Sequence, residues 1–338
     1  MDPVRIAVIG LGRIGRMHAD LLAREIPGAQ LAFVVDPIPA ALDEVTSRWQ
    51  VPGSSEPADA IARDDVDAVA ICTPTPTHVD LIVAAAAAGK ATMCEKPISL
   101  DLAETDRALE AVEAAGVPLQ IGFNRRFDPG HAEVRAAVES GEVGAPELVR
   151  ISSRDPAPPG IDYLRSSGGV FRDQTIHDVD MARFVTGDEV VEVSAMGAVR
   201  VDPRIGEIGD RDTITLMLRH ANGCLTVIDN SRRAVYGYDQ RVEVFGATGM
   251  ALSDNLPAHG AVIRTADGSR GAALPWFYLE RYLPSYRREW EAFAAAVSGA
   301  TPPSVTGADG RAALVLAFAA DRAVEERRTV TIDEVDGS

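Results

Sequence analysis

Asp173 and His177 stand four residues apart in GGVFRDQTIHDVDMARFVTG, residues 168–187. On a helix, positions i and i+4 share a face and can touch. A carboxylate beside an imidazole orients the ring and raises its basicity, which is half of an acid–base machine. Asp180 follows one turn later, roughly in line. The same spacing also describes an exposed Asp–His pair on a solvated face. A third residue stands out by rarity. Of 33 basic residues, two are lysine, Lys90 and Lys96, and 31 are arginine. An amine is a compact charge whose pKa can be tuned, whereas a guanidinium stays protonated. Facing a substrate hydroxyl, Lys96 could not be replaced by arginine. Lys90, after AAAAAG, reads as a cation at a helix C-terminus.

GLGRIG, Gly10 to Gly15, carries a second kind of chemistry. It follows an apolar strand, opens a helix, and is answered by Asp36, 21 residues beyond Gly15 at the end of the next strand. This is the context of a dinucleotide site. Gly10 permits the tight turn, Gly12 lets backbone approach a pyrophosphate, and Gly15 lets helix and strand pack closely. Arg13 and Ile14 complete the turn, whose helix presents its positive end to the phosphates. The Asp36 carboxylate would accept from ribose hydroxyls and repel a 2′-phosphate, and Pro37 follows it, so NAD is expected over NADP. In CTPTPTHVDL, residues 72–81, Thr73, Pro74 and His78 lie where cofactors bind in open α/β sheets. Either His78 lines the cofactor, or it sits in the first turn of a helix that Thr77 caps. Glu95 and Lys96, in CEKP, share that strand-end position.

These residues need particular elements behind them. Val4–Ile9, Leu31–Val35, Ala68–Cys72, Ala91–Cys94 and Leu119–Phe123 read as apolar strands. Helical patterns over 12–25, 77–88 and 101–115 alternate with them. That alternation predicts a parallel sheet covered on both faces. GFNRRFDPG then marks a change, and the boundary is placed at 122. Residues 1–122 are expected to form the cofactor domain and residues 123–338 a second domain. From 190 to 265 the pattern is long and strand-like, with Asn-Gly and Ala-Thr-Gly turns, as in antiparallel hairpins. Helices near 284–298 and 307–326 and a short strand, Thr329–Ile332, end the chain. A helix carrying Asp173 and His177 ends at Gly187.

The net charge, 33 minus 50, is −17. That balance argues against nucleic acid or anionic membrane as a partner. Three distant cysteines with no CxxC pair argue against a zinc or redox site and suit a reducing cytoplasm. MDPVRIAVIG lacks the basic n-region of a signal peptide. No metal is expected.

GLGRIGRMHA, CEKPISLDL, GFNRRFDP, SSRDPAPP, GGVFRDQTIHDVDMARF, NSRRAVYGYDQRVEVFG and FYLERYLPSYRREWEAF span nearly the whole chain. Through them the sequence resembles the Gfo/Idh/MocA oxidoreductases, and more narrowly their inositol dehydrogenase branch. The resemblance implies an α/β fold. Its N-terminal Rossmann domain has a parallel sheet, and its C-terminal α/β domain has a large, mainly antiparallel open sheet. It implies catalysis by Lys96, Asp173 and His177, and a cis peptide before Pro97. It implies substrate contacts from Arg126, Asp155 and Tyr236 besides the catalytic three. The plain readings of those three are a surface ion pair, a turn residue and a buried strand tyrosine. The implied reaction is NAD-dependent oxidation of a cyclic polyol, myo-inositol to its 2-keto form. The implied assembly is a tetramer packed through the second sheet. The alternatives are another inositol isomer, an aldose, or a non-redox relative that keeps NAD bound. Arg172 and Gln174 leave the choice among these open.

Overall fold

The structure, a computed structural model, describes residues 2–337. Its first sheet holds β1 (Val4–Ile9), β2 (Ala29–Val35), β3 (Gly53–Ser54), β4 (Ala68–Ile71), β5 (Ala91–Cys94) and β6 (Leu119–Ile121). The strand order is β3-β2-β1-β4-β5-β6, and every pairing is parallel. Strands β4 and β5 are buried at every residue, as parallel strands covered on both faces must be. The connections run through α1 (Arg13–Arg24), α2 (Pro39–Trp49), α3 (Pro57–Ile61), α4 (His78–Ala87) and α5 (Leu102–Ala115). Helix α5 shows why the chain turns where it does. The Asp101 side chain accepts from the Glu104 N–H, and Gly116, in the left-handed region at φ 64°, ends the helix. The order reverses between β1 and β4, which places a ligand crevice at their carboxyl ends.

The second sheet is β12-β11-β7-β10-β9-β8-β15. It comprises β7 (Pro146–Arg154), β8 (Val190–Ala198), β9 (Thr213–His220), β10 (Leu225–Ser231), β11 (Asp239–Gly246), β12 (Gly249–Ser253) and β15 (Val330–Thr331). Only β7 and β10 run parallel, so the sheet is mainly antiparallel. A separate exposed hairpin joins β13 (Ile263–Thr265) to β14 (Gly268–Arg270). The helices are α6 (Pro129–Glu139), α7 (Ile161–Ser166), α8 (Ile176–Thr186), α9 (Pro203–Glu207), α10 (Tyr278–Val297), α11 (Gly307–Glu326) and α12 (Asp333–Asp336). Helices α6 and α8 pack on one face. The opposite face exposes Met196, Met217, Phe245, Met250 and Leu252. No helix among the described residues is long and apolar enough to cross a membrane.

The compact units are residues 1–124 with 285–312, and residues 125–284 with 313–338. A single cut at 122 therefore misplaces residues 285–312. The physical cause is the C-terminal half of α10. Trp290, fully buried, donates its indole N–H to His18 Nδ1 at 2.9 Å. Tyr286 meets the same imidazole edge-on at 5.5 Å. Gln120 donates to the Glu289 carbonyl at 3.1 Å, and the Ile121 N–H to the Val305 carbonyl at 3.0 Å. Gly310 permits close approach, since a Cβ there would lie 2.8 Å from Ile98.

Truncating this anchor separates packing from hydrogen bonding. Trp290→Ala should cost roughly 3–5 kcal/mol. Trp290→Phe keeps most of the volume but leaves His18 Nδ1 unpaired, at about 1–3 kcal/mol. Urea unfolding checks both: the midpoint should fall in that order with an unchanged slope.

Candidate active site

In the first unit, the Gly10–Gly15 turn leaves β1 with its backbone fixed on both sides. Gly10 N–H donates to Val35 O at 2.8 Å, and Cys72 N–H to Ile9 O at 2.8 Å. Gly10 sits at φ 93°, and a Cβ there would lie 2.8 Å from the Cys72 carbonyl. A Cβ on Gly15 would collide with the Gly10 carbonyl, so that glycine serves helix–strand packing. Gly12 differs: nothing lies within 4 Å of the Cβ it lacks. Its backbone is bare at the start of α1, a cradle that could hold a pyrophosphate. The Asp36 carboxylate braces the same turn, with Oδ2 accepting from Leu11 N–H at 2.6 Å and Oδ1 from Ile38 N–H at 2.8 Å. Each oxygen keeps a lone pair for a ribose hydroxyl. Arg13 and Ile14 are the first residues of α1. The donor set and the open cradle fit a dinucleotide.

Thr77 stands at the N-cap position of α4 but its side chain makes no capping bond. It closes a 3₁₀ turn, Thr75–Thr77, with its hydroxyl 2.6 Å from Thr73 Oγ1 and 2.9 Å from Pro74 O. His78 is buried, with Nδ1 at 2.8 Å from Pro97 O and Nε2 at 2.8 Å from Thr73 O. Burial lowers its pKa, against the pull of those two carbonyls. Each nitrogen faces a carbonyl of the chain and a neutral ring donates to one of the two, so His78 sits between the turns after β4 and β5 rather than offering a nitrogen to a ligand. Lys96 is half-buried in the second of these turns, and the Lys96–Pro97 bond is cis. Glu95 Oε1 meets His18 Nε2 at 2.8 Å. Because His18 Nδ1 accepts from Trp290, Nε2 carries the hydrogen and Glu95 accepts it. Lys90 does not serve its own helix end. Its amine donates to Arg63 O and Val66 O, both at 2.7 Å.

In the second unit, Asp173 lies in a π-helical turn, Phe171–Thr175, which runs directly into α8 with His177. Such turns concentrate at functional sites. Both residues are half-buried. The turn is held from beneath by a polar row on neighbouring strands, Asn230, Ser153 and Gln240, which register side by side. Thr175 Oγ1 donates to Asn230 Oδ1 at 2.8 Å, and Asn230 Nδ2 to Asp178 Oδ2 at 2.8 Å. Arg125 donates to Asp178 Oδ1 at 2.7 Å and to Ser153 Oγ at 3.2 Å. Burial pushes the Asp178 carboxyl up to about 6, against the Arg125 charge. Gln174 donates to Ser153 O at 3.2 Å and Ser231 O at 3.3 Å. Arg172 turns to Gly168 O and to Asp321, and lines a cavity of about 230 Å³ with Arg165, Asp210 and Arg211. Arg172 and Gln174 thus bond to protein.

The proposed substrate contacts divide. Arg126 is no surface pair: its fork grips buried Asp180 at 2.9 and 2.6 Å. Tyr236 is no buried strand tyrosine either. It lies in a turn, 51 % exposed, with its hydroxyl donating to Asp239 at 2.6 Å and accepting from Arg154 at 3.0 Å. Asp155 is half-buried, and its carboxyl is pushed up to about 6 by desolvation; Arg232 pulls it down and Asp173 pushes it up. Tyr163 and Arg232 escaped the sequence reading. Tyr163 donates to Asp173 Oδ1 at 2.8 Å, and Arg232 to Oδ2 at 3.0 Å. Arg232 stands in the motif NSRR, but among 31 arginines nothing marked it.

The two glycines give a direct check on the cofactor cradle. Gly12→Ala should fold with a near-normal melting temperature while NAD binding weakens tenfold or more, about 1.4 kcal/mol. Gly15→Ala should instead lower the melting temperature. Fluorescence titration with NAD and thermal unfolding separate the two.

Residues 4–123 match the oxidoreductase family with the NAD-binding Rossmann fold, and residues 131–252 match the GFO/IDH/MocA C-terminal domain. Myo-inositol 2-dehydrogenase of Thermotoga maritima is 48% identical over 335 residues, 99% of this chain and 100% of that protein. Inositol 2-dehydrogenase of Rhizobium meliloti is 45% identical over 330 residues, 97% of this chain and 99% of that one. Among solved structures, scyllo-inositol dehydrogenase from Lactobacillus casei, with bound NAD(H) and scyllo-inositol, superposes with a TM-score of 0.90. It is 28% identical and covers 98% of this chain and 99% of its own. The chain belongs to the Gfo/Idh/MocA oxidoreductase family and is an NAD-dependent dehydrogenase.

Proposed function

We propose that the protein oxidises a ring hydroxyl of myo-inositol to the 2-keto product, scyllo-inosose. The full-length likeness to two inositol 2-dehydrogenases carries this reading. Residues 1–122 supply the cofactor domain and the rest the substrate domain, apart from the returning segment 285–312. NAD, when bound, would supply the acceptor for the hydride that leaves the carbinol carbon. Gly10, Gly12, Arg13, Ile14 and Gly15 would hold it, Asp36 would take the ribose, and Thr73, Pro74, Glu95 and Lys96 would line the strand ends. His177 removes the hydroxyl proton, and Asp173 orients its ring and stabilises the imidazolium. Lys96, protonated, stabilises the developing alkoxide as a compact charge. Asp155, Arg126 and Tyr236 contribute to hydroxyl recognition, Arg126 by holding Asp180. A polyol suits such a set, because an analogue lacking one hydroxyl leaves buried groups unpaired. The exposed apolar face of the second sheet supports a homotetramer, and three free cysteines support work in the cytoplasm.

A panel of inositol isomers and aldoses, with NAD and NADP side by side, tests this by NADH absorbance. Myo-inositol with NAD should give the highest kcat/KM. No turnover with any polyol, together with NAD that survives dialysis, would point to a non-redox relative. Lys96→Arg and His177→Ala should each lower kcat by roughly 10²–10⁴-fold. Full activity in either variant removes that residue from the mechanism.

A further inference from the structure

Asp173 is met by two side chains from other elements. Tyr163 on α7 donates to Oδ1 at 2.8 Å, and Arg232, just beyond β10, donates to Oδ2 at 3.0 Å. Arg232 is 1 % exposed, so its charge is held away from water. Its main chain is pinned, with its N–H donating to Asp212 O at 2.9 Å. One guanidinium nitrogen makes the contact, a charge-assisted hydrogen bond from a rigid, planar group whose main chain is fixed. The neighbouring charges are Asp155 from the turn after β7, Arg125 and Asp178 behind it, Tyr278 near Tyr163, and His177 on the same helix. Without Arg232 this group would hold three carboxylates against one guanidinium.

We infer that Arg232 is a positioning residue of the reaction: with Tyr163 it clamps both oxygens of Asp173, holding the carboxylate in one orientation beside a fixed positive charge, one turn from His177. The inference rests on the reading of Asp173 and His177 as the acid–base pair. A protonated or rotated Asp173 can neither orient the imidazole nor stabilise the imidazolium. Arg232 also opposes the upward push on Asp155, so its loss should favour protonation across the cluster.

The test is the pH dependence of kcat/KM from about pH 5 to 9 for Arg232→Gln, Arg232→Lys and Tyr163→Phe, with NAD affinity measured beside it. Arg232→Gln should lower kcat roughly 100-fold and move the acid limb up by about one pH unit. Arg232→Lys should leave the acid limb in place and lose roughly tenfold, because the charge is kept and the rigid, planar donor is not. Tyr163→Phe should lose several-fold in kcat with KM unchanged. NAD affinity should hold in all three. An unmoved acid limb in Arg232→Gln, or a lysine variant as shifted as the glutamine one, overturns the inference. If the glutamine variant does not fold, Tyr163→Phe decides, and wild-type kcat there overturns it.

Should the wild type turn over no polyol, the functional reading fails and melting temperature judges the clamp alone. A half-buried carboxyl beside Asp155, stripped of its cation, takes up a proton more readily folded than unfolded. Its stabilising contribution is then present at low pH and lost as pH rises. Arg232→Gln should therefore lose more melting temperature at pH 8 than at pH 5, and Arg232→Lys the same at both. Equal losses for the glutamine variant at the two pH values overturn the clamp.

Discussion

Beneath α8 a carboxylate with no exposure, Asp178, meets the guanidinium of Arg125, 7 % exposed, at 2.7 Å. Such a pair contributes little net stability, because desolvating both charges offsets their attraction. Removing one partner is another matter, since it strands the other charge in the core. The pair therefore acts as a register pin. Asp178 also takes Asn230, Arg125 also takes Ser153, and Ser153 in turn bonds Gln240. Three strands and the start of α8 are locked to one polar row. The rotation of α8 about its axis follows from that row, and with it the direction in which Asp173 and His177 emerge.

The π-helical turn fits the same logic. Gly168 and Gly169, both at φ 85°, bring the chain in, and Gln174 and Thr175 reach down to backbone and side-chain partners on the strands. A regular helix cannot meet every one of those anchor points and still place Asp173 beside Tyr163 and Arg232. The extra residue in the turn is absorbed as a π-bulge, a distortion that persists where surrounding contacts over-determine it.

The parallel sheet was legible because its strands are buried on both faces and read as unbroken apolar runs. So was the dinucleotide turn, where each glycine has a spacing and a reason. Strand β7 was not: in PELVRISSR Leu148, Arg150, Ser152 and Arg154 alternate with Val149, Ile151 and a buried Ser153, and the last of these reads as surface. The start of α10 was hidden by Pro284, which falls inside the helix and looks like a boundary. The return of residues 285–312 to the first unit depends on Trp290 finding His18, a pairing across 272 positions that no local pattern carries. Asp173 and His177 stood out by spacing, while the groups that hold Asp173 come from elsewhere in the chain.

Composition misled and informed at once. With 31 arginines, no single one invites attention, yet Asp128, Asp173, Asp178 and Asp180 each pair with an arginine. A weakly hydrated, planar fork is the cation best suited to an interior carboxylate, so the bias suits these sites. The two lysines show the converse. Lys90 spends its amine on two backbone carbonyls, bonds that radiate from one point as a guanidinium's cannot. Rarity of lysine therefore marks a demand for a compact, multidirectional donor, and a surface loop meets that demand as well as a reaction does. What separates Lys96 from Lys90 is place: one follows a parallel strand at its carboxyl end, the other precedes the same strand at its amino end.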